Sequence, residues 1–193
     1  MSVRLFVAIE LREEVRDAIR ELIARLAPLA RGARWVRPEG MHITLKFIGY
    51  VAEDQVDPIR AALSRVRSPH AVELRFRSVG FFPNDKRPRV IWCGVEASSN
   101  LAGLAKDIEN ALEPLGVSRE SRDSVPHLTL ARFSAPATIP ELAQAAAEMH
   151  DLEFGAATEK DFHLFESILR PSGAEYRRLA SYPFCKAFVK GAE

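Results

Sequence analysis

Two short segments of this chain repeat one pattern: "HITL" at 42–45 and "HLTL" at 127–130, 85 positions later. Each sits where apolar and polar residues alternate, as they do along a half-buried strand whose side chains point to opposite faces with period two. In the first, Ile43, Leu45 and Phe47 alternate with His42, Thr44 and Lys46. In the second, His127 and Thr129 share one face, with Leu128 and Leu130 on the other. The chain holds five His and four Thr. About 0.1 H-x-T triplets, and roughly 0.01 followed by Leu, are therefore expected by chance, so two copies are a specific signal.

The context repeats as well. Each copy follows an amphipathic stretch and a polar connection, "RGARWVRPEG" before the first and "VSRESRDSVP" before the second. The repeat of helix, connection and strand predicts two similar lobes within one chain. If they face each other about a pseudo-two-fold axis, both His–Thr pairs enter one cleft.

The remaining pattern is mixed. A buried strand is predicted over 3–9 and a helix over about 11–30, stopped near Gly32. The "HITL" strand should end at Gly49, followed by a helix over about 54–67. Strands are expected at 71–82 and in "VIWCGVE", separated by the polar loop "PNDKRPR". Ser99 or Asn100 is placed to cap a helix over about 100–114 that Gly116 closes. The "HLTL" strand covers about 127–133, and a helix follows at about 140–149. The tail reads as strands in "DFHLFESIL", "YRRLASYPF" and "KAFVK", with a Pro171–Gly173 turn. Helices combined with hairpin-linked strands predict an α+β fold with largely antiparallel sheets. With 193 residues and no linker, the expectation is a single bilobal domain spanning 1–193.

Composition narrows the partners. The net charge of +1 marks no broad basic surface for nucleic acid or membrane, although a local Arg and Lys cluster would suffice for an RNA end or a nucleotide. No apolar run approaches transmembrane length, and "MSVRLFVAIEL" does not read as a signal peptide. A soluble, cytoplasmic protein is expected, with no membrane partner. Cys93 and Cys185 each lie in apolar stretches and read as buried, reduced thiols.

His titrates near neutrality, so two of them can divide general acid and general base work across one reacting centre. Thr supplies a hydroxyl donor on the same face. That set suits a phosphodiester whose non-bridging oxygens are held by hydroxyls and Arg. Which His is acid and which base is open from the residues alone. No H-E-x-x-H, Cys pair or acidic cluster accompanies the His residues, so neither a metal nor another cofactor is expected. Lys46 shares the His42 face in strict alternation and is a candidate phosphate ligand, against the plainer reading of a solvated lysine. Phe6 is a candidate cleft floor, against the plainer reading of core. His70 and His150 read as surface residues, and His163 as a strand residue facing solvent. Lys86, Arg87 and Arg89 cluster in one loop, which is either simply solvated or touches an RNA backbone.

At these residues the chain resembles the 2H phosphoesterases, named for two His-x-Thr-x motifs, and among them the RNA 2′,3′-cyclic phosphodiesterase (2′-5′ RNA ligase) family. "RLFVAIEL", "HITLKFIG", "PRVIWCGV", "HLTLARF" and "LFESIL" with Gly173 and Tyr176 carry the resemblance over most of the chain. It implies a bilobal fold with both motifs in a central cleft. It also implies metal-independent hydrolysis of an RNA-terminal 2′,3′-cyclic phosphate to a 2′-phosphomonoester. His42 is then the proton donor and His127 the proton acceptor. Thr44, Thr129 and Arg132 are phosphate ligands, although strict alternation puts Arg132 on the face opposite His127 unless the strand ends or bulges. The implied partners are RNA 3′ ends bearing the cyclic phosphate, tRNA halves among them, acted on by a monomer. Joining such an end to a 5′-hydroxyl is the associated reverse activity. Two rivals remain at this level. One is a module that binds a nucleotide phosphate without turnover. The other is a related phosphodiesterase acting on ADP-ribose cyclic phosphate, on 2′-5′ oligoadenylate or on an RNA tail.

Overall fold

Among the described residues the apolar periodicity of the helical stretches becomes four helices, and the regularly alternating stretches become strands. The computed structural model describes residues 2–68, 70–119, 125–135, 137–170 and 173–184. Its strands are β1 (Ser2–Glu10), β2 (Arg34–Trp35), β3 (His42–Ala52), β4 (Val72–Phe82), β5 (Val90–Ala97), β6 (His127–Arg132), β7 (Glu153–Glu159), β8 (Asp161–Arg170) and β9 (Gly173–Pro183). Its helices are α1 (Glu13–Leu26), α2 (Val56–Leu63), α3 (Asn100–Leu112) and α4 (Pro140–Glu148). The strands form two sheets, ordered β3-β1-β8-β9 and β2-β6-β5-β4-β7, and all their pairings are antiparallel. The expected α+β class with antiparallel sheets is what the chain adopts.

The main core is one continuous cluster. Leu5, Val7 and Ile9 of β1 enter it together with Val15, Ile19, Leu22 and Leu26 of α1 and Leu101, Leu104, Ile108 and Leu112 of α3. Helices cover the sheets crosswise: α1 follows β1 in chain order but packs on β7 of the five-stranded sheet. Likewise α3 leaves β5 and packs on β3 of the four-stranded sheet. The two sheets therefore share one interior.

Several local expectations are corrected. The first helix ends at Leu26 and tightens into a 3-10 turn over Ala27–Leu29, because Pro28 has no N–H to continue the ladder. Ser99 stands at the N-terminus of α3 without a side-chain capping bond, and Asn100 instead donates to the carbonyls of His70 and Ala71. Gly49 does not end its strand. It takes φ +87° inside β3, which continues to Ala52. β2 is too short for periodicity to reveal, and β7 (EFGAATE) is poor in β-branched and aromatic residues. His163 does not face solvent. It is only 4% exposed, with Nδ1 on the Ser181 hydroxyl and Asp161 beside Nε2. His70 and His150 are exposed, as expected. Cys93 is fully buried, and burial pushes its thiol up to about 12. Cys185, the "KAFVK" segment and Pro171 of the expected turn lie outside the described residues.

Lys46 departs furthest from its expectation. In the β1–β3 register Val7 opposes Lys46 while Ala8 opposes Thr44, so Leu45 is an extra residue, a bulge. The extra residue turns Lys46 onto the core face, opposite the fully buried Val7. Lys46 is 2% exposed, and its ammonium donates to Glu109 of α3 at 2.8 Å and to the Ser118 carbonyl at 2.7 Å. It is neither solvated nor on the His42 face. Removing one member of a buried ion pair leaves the other's charge poorly compensated. Lys46→Ala should lower unfolding free energy by about 3 kcal/mol, read as a lower denaturant midpoint at unchanged slope.

Candidate active site

Both H-x-T-L strands reach one cavity of about 540 Å³, lined by His42, Thr44, His127, Thr129, Arg132 and Tyr176 among others. β3 belongs to the four-stranded sheet and β6 to the five-stranded one, so the cavity joins the two sheets. The structure thus brings together the two His, the two Thr and Arg132. Lys46 also borders the cavity, but its ammonium is held by Glu109 and Ser118.

Arg132 reaches the cavity by a bulge. Along β5, Trp92 opposes Thr129 and Ile91 opposes Ala131, which leaves Leu130 as the extra residue. Leu130 and Ala131 are both buried, and Arg132 returns to the face of His127 and Thr129. The bulge falls at the same motif position as Leu45 in β3. Lys46 therefore corresponds to Ala131, and Phe47 to Arg132. The carbonyl of Leu130 accepts from the Val36 amide at 2.8 Å, just after β2 pairs with β6. The segment that leads into the first motif is thus bonded to the strand carrying the second.

The imidazoles are held alike. His42 Nδ1 lies 2.8 Å from the Gly40 carbonyl, and His127 Nδ1 lies 3.0 Å from the Val125 carbonyl. A carbonyl only accepts, so Nδ1 carries the proton in both rings, and Nε2 is the nitrogen left for a bound molecule. Neutral, it can take a proton; charged, it can give one. Burial, aided by the Arg132 guanidinium, pulls His42 below its ordinary value of 6.5, against the Gly40 hydrogen bond and Glu10, which raise it.

Aromatic rings fix the rest of the geometry. Phe6, Ala8 and Phe165 form a small buried cluster, packed by Tyr176 and separate from the main core. Phe6 lies 4.6 Å from the His42 ring and 5.2 Å from Phe165, which it stacks. Tyr176 meets His42 edge-on at 5.0 Å. On the other side Phe82 meets His127 edge-on at 5.0 Å. Phe6 is therefore a wall of the cleft and not part of the main core. The sequence does not single out Phe82 and Phe165, because an aromatic in an alternating strand carries no mark of which face is the cleft. Lys86, Arg87 and Arg89 are exposed and lie outside the cavity lining. Among the described residues no three His, Cys, Asp or Glu side chains group as a metal site would need. No helix among them is long and apolar enough to cross a membrane.

Known proteins resemble this chain in sequence and in fold. A family profile described as LigT like Phosphoesterase matches residues 9–92 and again 94–176, one motif in each stretch. The RNA 2′,3′-cyclic phosphodiesterase of Archaeoglobus fulgidus is 35% identical, covering 91% of this chain and 97% of its own. The protein of the same name from Thermotoga maritima is 33% identical over 98% of this chain and 100% of its own. The crystal structure of TT0787 of Thermus thermophilus superposes with a TM-score of 0.79 at 31% identity, covering 94% of this chain and 97% of that one. That of E. coli LigT complexed with 3′-AMP reaches the same TM-score at 24% identity, a likeness of fold. With the profile matched on both halves and the relatives spanned almost end to end, this chain belongs to the LigT-like phosphoesterase family.

Proposed function

We propose that this protein hydrolyses the 2′,3′-cyclic phosphate at an RNA 3′ end to a 2′-phosphomonoester. The carrying observation is the pair of imidazoles, each tied through Nδ1 to the carbonyl two residues before it, in one cavity with Thr44, Thr129 and Arg132. The names of the full-length relatives supply the substrate class. In the proposed reaction a water oxygen bonds to phosphorus and the bond to the 3′ oxygen breaks. His127 Nε2 takes the proton from water, and His42 Nε2–H gives one to the departing 3′ oxygen. Thr44, Thr129 and Arg132 donate to the non-bridging oxygens, where charge accumulates. Lys46 is left out of this set because its ammonium is already engaged. A 5′-hydroxyl in place of water would give a 2′-5′ linkage by the same steps. RNA halves from cleaved tRNA are suitable substrates, and a cytoplasmic monomer suffices for the chemistry.

The lowered proton affinity of His42 fits a donor that is recharged by its substrate. A bound phosphate sets negative charge against Arg132 and His42, offsets the guanidinium and favours the imidazolium. The sign is testable. Arg132 holds His42 down, so Arg132→Gln should move the His42 midpoint upward, toward 6.5, in an NMR titration of the ring. The same change should reduce kcat/KM by about 10²-fold. A midpoint that does not move would mean that Arg132 exerts no field on His42.

The function itself is tested with a short RNA ending in 2′,3′-cyclic phosphate, in the presence of EDTA. Wild type should yield the 2′-phosphate. His42→Ala and His127→Ala should each lose about 10²–10⁴-fold or more in rate. A 3′-phosphate product would keep the pair and exchange the leaving oxygen. Tight nucleotide binding with no turnover of any cyclic phosphate would leave a binding module instead.

A further inference from the structure

The cleft does not stop at the His pair. Past Thr44, β3 carries Phe47 and Tyr50, which are 55% and 66% exposed. Exposed rings on one face beside a cleft mark a candidate contact surface. By simple alternation a three-residue spacing would set Phe47 and Tyr50 on opposite faces. A second bulge prevents it: Leu5 opposes Gly49 and Phe6 opposes Phe47, so Ile48 is extra. Gly49 absorbs the turn at φ +87°, a conformation that residues with side chains rarely hold. Phe47 then stands beside Phe6 at 6.4 Å, and Tyr50 stands opposite Arg4 in the register. Directly opposed residues share a face, so His42, Thr44, Phe47, Tyr50, Phe6 and Arg4 look the same way.

Two more observations join this stripe to the cleft. Phe47 lines both the main cavity and an adjoining groove of about 290 Å³, in which Tyr50 also stands. Arg4 lines the main cavity, and among the described residues its guanidinium makes no hydrogen bond or ion pair. By contrast Arg119, in the groove, is engaged by Glu113 and Asn110. Exposed aromatic rings interleaved with an uncommitted cation match what single-stranded nucleic acid needs: faces for bases to stack on and charge for the backbone.

We propose that Tyr50 and Arg4 extend the cleft beyond Phe47 into a track for the RNA strand leading into the site, a reading that rests on the RNA end being the substrate. The nucleotide before the terminal one stacks on Tyr50, and Arg4 holds the phosphate that joins the two. The cleft thereby has a direction: anion toward the five-stranded sheet, bases along the four-stranded one.

The test compares 2′,3′-cyclic AMP with a short single-stranded RNA ending in 2′,3′-cyclic phosphate. Tyr50→Ala and Arg4→Gln should each raise KM for the RNA about tenfold, the scale of one lost stacked base. They should leave the mononucleotide within twofold, and Tyr50→Phe should restore the RNA value. Equal losses on both substrates, or none on either, would overturn the track. So would silence at Tyr50 together with loss on replacing Lys86, Arg87 and Arg89, which would route the strand over the β4–β5 hairpin. Binding of a fluorescent RNA ending in a plain 3′-phosphate, read by anisotropy, separates this proposal from the reaction. If wild type turns over neither cyclic substrate, the proposed activity fails, yet Tyr50→Ala must still weaken that binding about tenfold or the track fails too.

Discussion

A β-strand shows alternate residues to a given face, and the candidate site depends on breaking that rule three times. Leu45 and Leu130 are the extra residues at the same step of the two motif strands, and Ile48 is the third. A strand without bulges would present His and Thr, then turn the next useful side chain away. With the extra residue after Thr, β6 brings Arg132 back to the cavity and β3 brings Phe47 back. The residues displaced by the same step, Ala131 and Lys46, go into the interior. An alanine fits there without help, whereas a lysine needs the carboxylate and carbonyl that Glu109 and Ser118 supply.

Chemistry in such a cleft needs imidazoles that neither spin nor change tautomer. The backbone performs the second task, since the carbonyls of Gly40 and Val125 accept from Nδ1. The aromatic cluster limits rotation by setting three rings near His42 and an edge against His127. The surroundings are not equal. His42 lies among Phe6, Phe165 and Tyr176, within the field of Arg132, and its proton affinity falls. Two copies of one motif thus acquire different environments, which is the condition for giving them different roles.

Much of this is legible in the chain itself. Four helix positions, the longer strands and both His–Thr pairs follow from periodicity and from the improbability of a repeated H-x-T-L. Bulges are not legible, because they depend on how a partner strand is spaced and not on local composition. That is why alternation assigns Lys46 to the wrong face and sets Arg132 in conflict with its role. β2 is hidden by its length, and β7 by its small residues. His163 reads as solvent-facing because alternation tells which residues share a face, not whether that face is covered. Here it is covered, by the neighbouring strands and their side chains.

Residues 34–36 belong by hydrogen bonding to the sheet of the second motif, although six positions later the chain begins the strand of the first. The helices are exchanged in the same sense, α1 onto β7 and α3 onto β3. Neither half of the sequence therefore owns a closed interior. A fragment cut between the two motifs would expose the apolar faces of a helix and a sheet at once, each missing its cover. The repeat visible in the sequence is accordingly not a pair of autonomous modules. Melting should be one cooperative event in which both imidazoles leave their carbonyls together, and a lesion beside one His will be felt at the other through the shared core.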